Sequence, residues 1–350
     1  MKNRLFLTTL ILTAALLLSS CAAPPALPAT SSLPPVEQLM TALRAGIDVY
    51  QEEISVAVRG LTTADLDLDP ARFPQVESWH CTYSSLGDAL IFNQTFTIRY
   101  KPGYKISYAH HNSQPEILSE HELETYREAL RVLESLHIDD MTDYHKELAI
   151  HDYIIETCVY DEDNVVAGTI QPESSEPYGV LLNHMAVCQG YSETFRLFMD
   201  MLDIKCEIIQ GIAHDQLHAW NRVQLDGAWY LVDTTWDDPV GQQLGDLPHH
   251  TYFNVTDAQL AGNHTPNEPY TPECTMTQYN YFVYNDLIVA SQTDFEHTAQ
   301  QAVRAGQTEF SAVCDGISFS ELDLESLFRF FNRYAYSFDD DMRIITVYLK

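Results

Sequence analysis

Apolar positions along the chain repeat with two periods. From Cys188 the sequence CQGYSETFRLFMDML sets Tyr191, Phe195, Phe198, Met201 and Leu202 at three- and four-residue steps, the repeat of an amphipathic helix. Similar spacing predicts helices over 36–46, 119–136 and 142–157. In the second of these, Ser119 and Glu122 form a capping box, and Leu123, Tyr126, Leu130 and Leu133 mark an apolar face. In the third, Leu148, Ile150, Ile154 and Ile155 point inward, and His151 among them is a packing residue. Extended structure is predicted at 55–58, 88–100, 203–213 and 344–350, where β-branched and aromatic residues gather. Two further strands, 218–225 and 228–235, flank Asp226-Gly227, the dipeptide suited to a two-residue type I′ turn. Residues 161–187 are a Gly-, Pro- and Ser-containing loop that leads to Cys188.

The turn sets the register. With Leu225 opposite Ala228, Trp220 faces Asp233 and His218 faces Thr235. His218 and Asp233 then lie on one face as diagonal neighbours, roughly 7–8 Å apart, which two side chains can bridge. A slip of one residue would separate them. Upstream, Cys188 begins a helix, where unpaired N–H groups and the helix dipole favour a thiolate. Gly190, in the first turn, permits close packing. Cys188, His218 and Asp233 therefore supply a nucleophile, a base and a carboxylate to orient the base, 30 and then 15 residues apart. Taken singly they have plainer explanations: a buried structural thiol, and an ordinary surface His and Asp. His214 is a competing base, but it sits in the loop before the strand.

These residues resemble the transglutaminase-like superfamily, which has a papain-like thiol fold. In that family a Cys begins a helix, a His leads a strand as H-A-W, and an Asp ends the next as V-D-x-T-W. Cys188, His218-Ala219-Trp220 and Val232-Asp233-Thr234-Thr235-Trp236 match. His151-Asp152-Tyr153-Ile154, Tyr178-Gly179-Val180-Leu181 and Tyr252-Phe253-Asn254-Val255-Thr256 resemble bacterial members. The resemblance covers about residues 116–265 and leaves out both ends of the chain. It implies an α+β fold with a papain/transglutaminase-like core, the catalytic helix packed on an antiparallel sheet. It also implies thioester chemistry on protein or peptide amides, completed by water or by an amine. Cys188, His218 and Asp233 would be catalytic, and Gln189, Trp220 and Trp236 are the candidate substrate contacts. A non-catalytic peptide-binding or scaffold protein on the same fold is the alternative from another class.

Composition adds bounds. The formal net charge of −31 over 350 residues makes nucleic acid a poor partner, since phosphate binding needs clustered Lys and Arg. Among seven cysteines there is no CxxC pair, and no HExxH occurs. Asp65, Asp67 and Asp69 alternate without the central Gly of an EF-hand loop. The doublets His110-His111 and His249-His250 are surface-loop residues on this reading. No cofactor and no metal are expected, and oligomeric state is not legible. Setting aside Cys21 and Cys188 leaves five cysteines, an odd number, so at least one thiol stays unpaired within the chain.

Residues 1–21 form a targeting segment. Lys2 and Arg4 precede the apolar run 5–18, and Leu18-Ser19-Ser20-Cys21 resembles the lipobox of bacterial lipoproteins. Lipidation at Cys21 would hold the protein to the membrane on its extracytoplasmic face; a plain secretory signal cleaved near Ala22-Ala23 is the alternative. Residues 22–35, rich in Pro, Ala and Ser, are a tether. Next come an N-terminal α/β domain over 36–115, the catalytic domain over 116–270, and a C-terminal α/β domain over 271–350. The last echoes the first: Ile54 to Gly60 align with Phe310 to Gly316, and Thr62 with Ser318.

Overall fold

The structure is a computed structural model that describes residues 33–85, 91–238, 249–329 and 334–349. The targeting segment, Cys21 and most of the tether lie outside these residues. The chain divides into two compact units, Met1–Arg99 and Tyr100–Lys350. The first contains α1 (Pro35–Ile47) and strands β1 (Glu53–Val56), β2 (Val76–Ser85) and β3 (Ile91–Tyr100), which form a sheet in the order β1-β3-β2. β3 ends at the boundary between the units.

The second unit opens with α2 (Pro102–Asn112), α3 (Glu120–Leu136) and α4 (Asp143–Thr157). The expected domain break after residue 115 falls instead at Arg99. The reason is α2: its Ser107 hydroxyl donates to Asp200, and the Arg196 guanidinium lies 3.5 Å from the Tyr104 ring centre. In the sequence only Lys101-Pro102-Gly103 marks the start of α2, and its apolar stripe is weak, so pattern alone does not reveal it. β4 (Val159–Tyr160), α5 (Glu162–Ala167) and β5 (Met185–Ala186) follow. Residues 161–187 are therefore less a loop than a series of short turns pinned by the parallel β4–β5 pair.

At the centre lies α6 (Cys188–Met201). Tyr191, Phe195, Leu197 and Phe198 are fully buried, packed with Ile150 and Ile154 of α4. β6 (Cys206–Ala213), β7 (Gln216–Leu225) and β8 (Ala228–Val232) form an antiparallel sheet beside it, with Val223 and Val232 in the same core. After α7 (Asp257–Leu260), β9 (His264–Pro266) completes the sheet in the order β8-β7-β6-β9. This is the predicted α+β arrangement, a helix packed on an antiparallel sheet.

The remainder comprises α8 (Tyr281–Tyr284), β10 (Ile288–Val289), α9 (Gln292–Arg304), β11 (Glu309–Cys314), α10 (Leu324–Phe328), β12 (Tyr334–Asp339) and β13 (Ile344–Leu349). Its sheet runs β10-β11-β13-β12. Apart from the added β10, a helix, a strand and two successive strands give the same strand order as at the N-terminal end. The likeness reaches individual side chains. Ser55 and Thr95 share a hydroxyl hydrogen bond of 2.9 Å across β1 and β3, as Ser311 and Thr346 do at 2.8 Å across β11 and β13. Asp65 accepts from the N–H and hydroxyl of Thr62, and Glu321 does the same for Ser318.

Candidate active site

Cys188 is the first residue of α6, delivered by the β4–β5 pair and by a hydrogen bond from Val187 N–H to the Ser174 carbonyl (2.9 Å). Helix and preceding turn approach closely at Gly190, where a Cβ would stand 2.4 Å from the Ser174 oxygen and 2.9 Å from the Ala186 Cβ. The first-turn N–H groups of such a helix lack helical acceptors, which gives the thiol a positive local field.

The hairpin register is as predicted. Leu225 pairs with Ala228 and Asn221 with Val232, around a turn in which Asp226 and Gly227 both have positive φ. The ladder stops there, three residues before the predicted end of the second strand. Asp233 leaves the sheet because its own Oδ1 accepts the N–H groups of Thr235 (3.0 Å) and Trp236 (3.2 Å), which folds the chain into a turn. Its Oδ2 accepts from His218 Nε2 at 2.7 Å. The other ring nitrogen of His218 is not used by Asp233, and the Cys188 thiol is close enough to act electrostatically on the imidazole. Burial opposes charge on His218, but Asp233 and the thiol outweigh it and lift the imidazole to about 10. Asp233 is fully buried; burial alone would raise its carboxyl, yet the imidazoles beside it hold it far below the ordinary carboxylate range. The arrangement favours an imidazolium oriented by a carboxylate beside the thiol.

A second imidazole escaped prediction. His264, at the start of β9, donates from Nε2 to the same Asp233 oxygen at 3.0 Å. It comes from the edge strand of the sheet, 31 residues beyond Asp233, and no local spacing links the two. His214 is not the base: it stacks on Trp236 at 4.7 Å in the β6–β7 turn.

The three candidate substrate contacts differ. Trp236 is half-buried, 5.6 Å from the His218 ring, and lines a cavity. Gln189 is also half-buried; it donates to Glu193 (3.1 Å) and accepts from Gln210 (3.3 Å). Trp220 is only 1% exposed and stacks behind His218 at 6.0 Å, so it supports the imidazole and has no surface to offer a substrate.

Behind the site is a buried ionic network. His151 donates from Nε2 to Asp237 (3.0 Å) and from Nδ1 to Asp152 (3.1 Å), which also accepts from His250 (2.8 Å). Burial works against its charge, but the two carboxylates lift His151 to about 9. Asp237 in turn accepts the Tyr252 N–H at 2.9 Å, so the network ties α4 to both sides of the Asp233 turn. His151 is thus a satisfied interior residue, whereas His250 is no surface residue: it stacks on Tyr281 at 3.7 Å. His110 and His111 end helix α2 instead of lying in a loop, bonded to Tyr126 and to the Asp200 carbonyl, and His111 is exposed as expected. Two groups have the composition of metal ligands, His218–Asp233–His264 and His151–Asp152–His250. In both, hydrogen bonds already join the nitrogens and oxygens.

A thiol at a helix start, a hairpin imidazole and a buried carboxylate define a papain-like α+β protein. Residues 132–234 match the profile of the transglutaminase-like superfamily. The kyphoscoliosis peptidase of Homo sapiens is 25% identical over 142 residues, 36% of this chain and 21% of that protein. The Mus musculus kyphoscoliosis peptidase is 25% identical over 111 residues, 27% of this chain and 17% of its own length. The chain thus spans about a fifth of the length of these curated relatives. A crystal structure of a TGase is 18% identical with a TM-score of 0.32, over 55% of this chain and 53% of that one.

Proposed function

We propose that the protein is a thiol enzyme acting on protein or peptide amide bonds. Cys188, as thiolate, adds to the amide carbonyl, and the backbone N–H of Cys188 is a donor available to the resulting oxyanion. The C–N bond breaks as the His218 imidazolium gives its proton to the departing amine, leaving a thioester on Cys188. His218 then takes a proton from water, for hydrolysis, or from an amine, for transfer. Asp233 holds the imidazole's orientation and balances its charge. The observation that carries this reading is the 2.7 Å bond between His218 and Asp233, with the Cys188 thiol close enough to act on the same imidazole.

Incubation with a peptide library and an amine donor, read by mass spectrometry, tests it. Shortened or amine-adducted peptides are expected from the wild type and none from Cys188→Ala. Peptides retained unchanged by both proteins would favour a peptide-binding scaffold instead. We propose too that the protein is lipid-anchored at Cys21 outside the cytoplasmic membrane. The Leu18-Ser19-Ser20-Cys21 motif supports this, and Cys21→Ala is expected to release the protein from membranes or block its maturation.

A further inference from the structure

A cavity of about 460 Å³ opens between the Asp233 turn and the β12–β13 hairpin. Trp236, Tyr252 and Phe338 supply aromatic wall, and Asp238 and Asp339 supply carboxylates. We propose that this cavity is a subsite for a cationic side chain, lysine or arginine, of the peptide substrate. The inference rests on the thiol-enzyme reading and extends it to substrate class.

Position comes first. The Trp236 ring that lines the cavity is 5.6 Å from the His218 ring. The Tyr191 hydroxyl donates to Asp238, and Tyr191 lies within one helical turn of Cys188 on α6. A peptide whose amide reaches the thiol therefore has the cavity within reach of a neighbouring side chain.

Chemistry comes second. No Lys or Arg lines the cavity, and neither Asp238 nor Asp339 has an ion-pair partner among the described residues. Asp339 uses one oxygen to accept the Met342 N–H at 2.8 Å. Burial pushes the Asp238 carboxyl up to about 6, so a bound ammonium or guanidinium would supply the missing counter-charge. Trp236 and Tyr252 meet edge to face at 5.2 Å, a surface suited to a cation over a ring. His249 lines the same cavity with its Nε2 buried and without a hydrogen-bond partner among the described residues, a further polar atom for a ligand. The volume is within the range of about 300–1,000 Å³ usual for ligand pockets. The strongly acidic chain would also draw basic peptides toward it. Because the hairpin belongs to the repeated C-terminal module, this gives that module a part in recognition.

Dipeptidyl chloromethyl ketones that differ only in carrying lysine, norleucine or glutamate test the idea, with iodoacetamide as the neutral small reagent. Labelling of Cys188 is followed by mass spectrometry of the full chain. The lysyl reagent is expected to label Cys188 about ten-fold faster than the norleucyl one, with the glutamyl reagent slowest. Asp339→Asn should bring the lysyl-to-norleucyl ratio close to one. Ser337→Lys, at an exposed residue that lines the cavity, places a competing cation in it and should lower the same ratio. Equal lysyl and norleucyl rates on the wild type, or a ratio that survives both substitutions, would overturn the subsite. Rapid iodoacetamide labelling of Cys188 in that case leaves the thiol reading standing. If Cys188 reacts with no reagent faster than the other thiols, the thiol reading falls and the subsite with it.

Discussion

At the scale of single residues, Asp233 joins everything. It accepts four hydrogen bonds, two from the N–H groups of its own turn and two from imidazoles. An amide at this position keeps the shape but removes the charge that holds His218 ionised. Asp233→Asn is therefore expected to lower the His218 midpoint from about 10 toward its ordinary 6.5. Ring-proton NMR titration measures this directly, and a midpoint that stays near 10 would mean that Cys188 alone sustains the charge. The thiols offer a second test. Burial pushes Cys158 and Cys274 up to about 12 and Cys206 higher still, while Cys188 sits half-buried at a helix start beside an imidazolium. Cys188 should be the first thiol alkylated by iodoacetamide near neutral pH, and His218→Ala should slow it at least ten-fold. Uniform labelling of all the thiols would contradict both statements. The juxtaposition of His218 and Asp233 was legible because a two-residue turn determines which strand residues share a face. His264 was not, since its approach depends on how β9 meets the far edge of the sheet.

At the scale of elements, the sequence revealed the strongly periodic pieces and missed those held by polar or small residues. α4, α6 and the β7–β8 hairpin stand where their apolar spacing put them. For α3 the element was legible and its face in part: Tyr126 and Leu133 pack against the core as expected, but Thr125, Ala129 and Val132 are the buried residues and Leu130 is 38% exposed. Small side chains allow the closest helix contact, and hydrophobicity ranks them too low to show it. β2 was missed because its polar residues are largely exposed. Two predictions belong here. Gly190→Ala would set a methyl against the Ser174 carbonyl and Ala186, and should cost about 1–3 kcal/mol, read from denaturant unfolding. A neutral result would show that the 172–175 turn can retreat. The second concerns Glu147 of α4, fully buried and bonded by the Asn254 side chain at 2.9 Å. Burial raises its carboxyl from 4.5 to about 8. The folded state must then bind a proton that the unfolded chain has lost, so stability from this group is present below pH 4.5 and falls away as pH rises through about 8. At pH 7 the proton uptake costs about 3 kcal/mol. Glu147→Gln should accordingly raise the melting temperature at pH 7–8 and change it little near pH 4.5. An equal effect at both pH values would assign it to packing instead of protonation.

At the scale of the whole molecule, one thiol core is joined to two modules of the same topology, one in each compact unit. Their repetition was visible in the sequence only as a few aligned residues, because most of what a sheet module shares is backbone pairing, which many sequences satisfy. Among the aligned residues, Ser55 and Ser311 each share a hydroxyl partner across the sheet, and Thr62 and Ser318 each donate to a carboxylate three residues on. Equivalent positions should then act on separate units. Phe96 of β3 is fully buried opposite Ile54, and Val347 of β13 is fully buried opposite Phe310. Phe96→Ala removes a core ring and should destabilise the first unit by about 3–5 kcal/mol. Because each unit is compact by itself, hydrogen exchange should accelerate over α1 and β1 to β3 while α6 keeps its protection and Cys188 its labelling rate. Val347→Ala removes less volume but acts in the unit that holds the site, and should accelerate exchange in β11 to β13. If Phe96→Ala instead raises exchange in α6 as much as in β3, the two units unfold as one, and the division at Arg99 describes contacts without describing cooperativity.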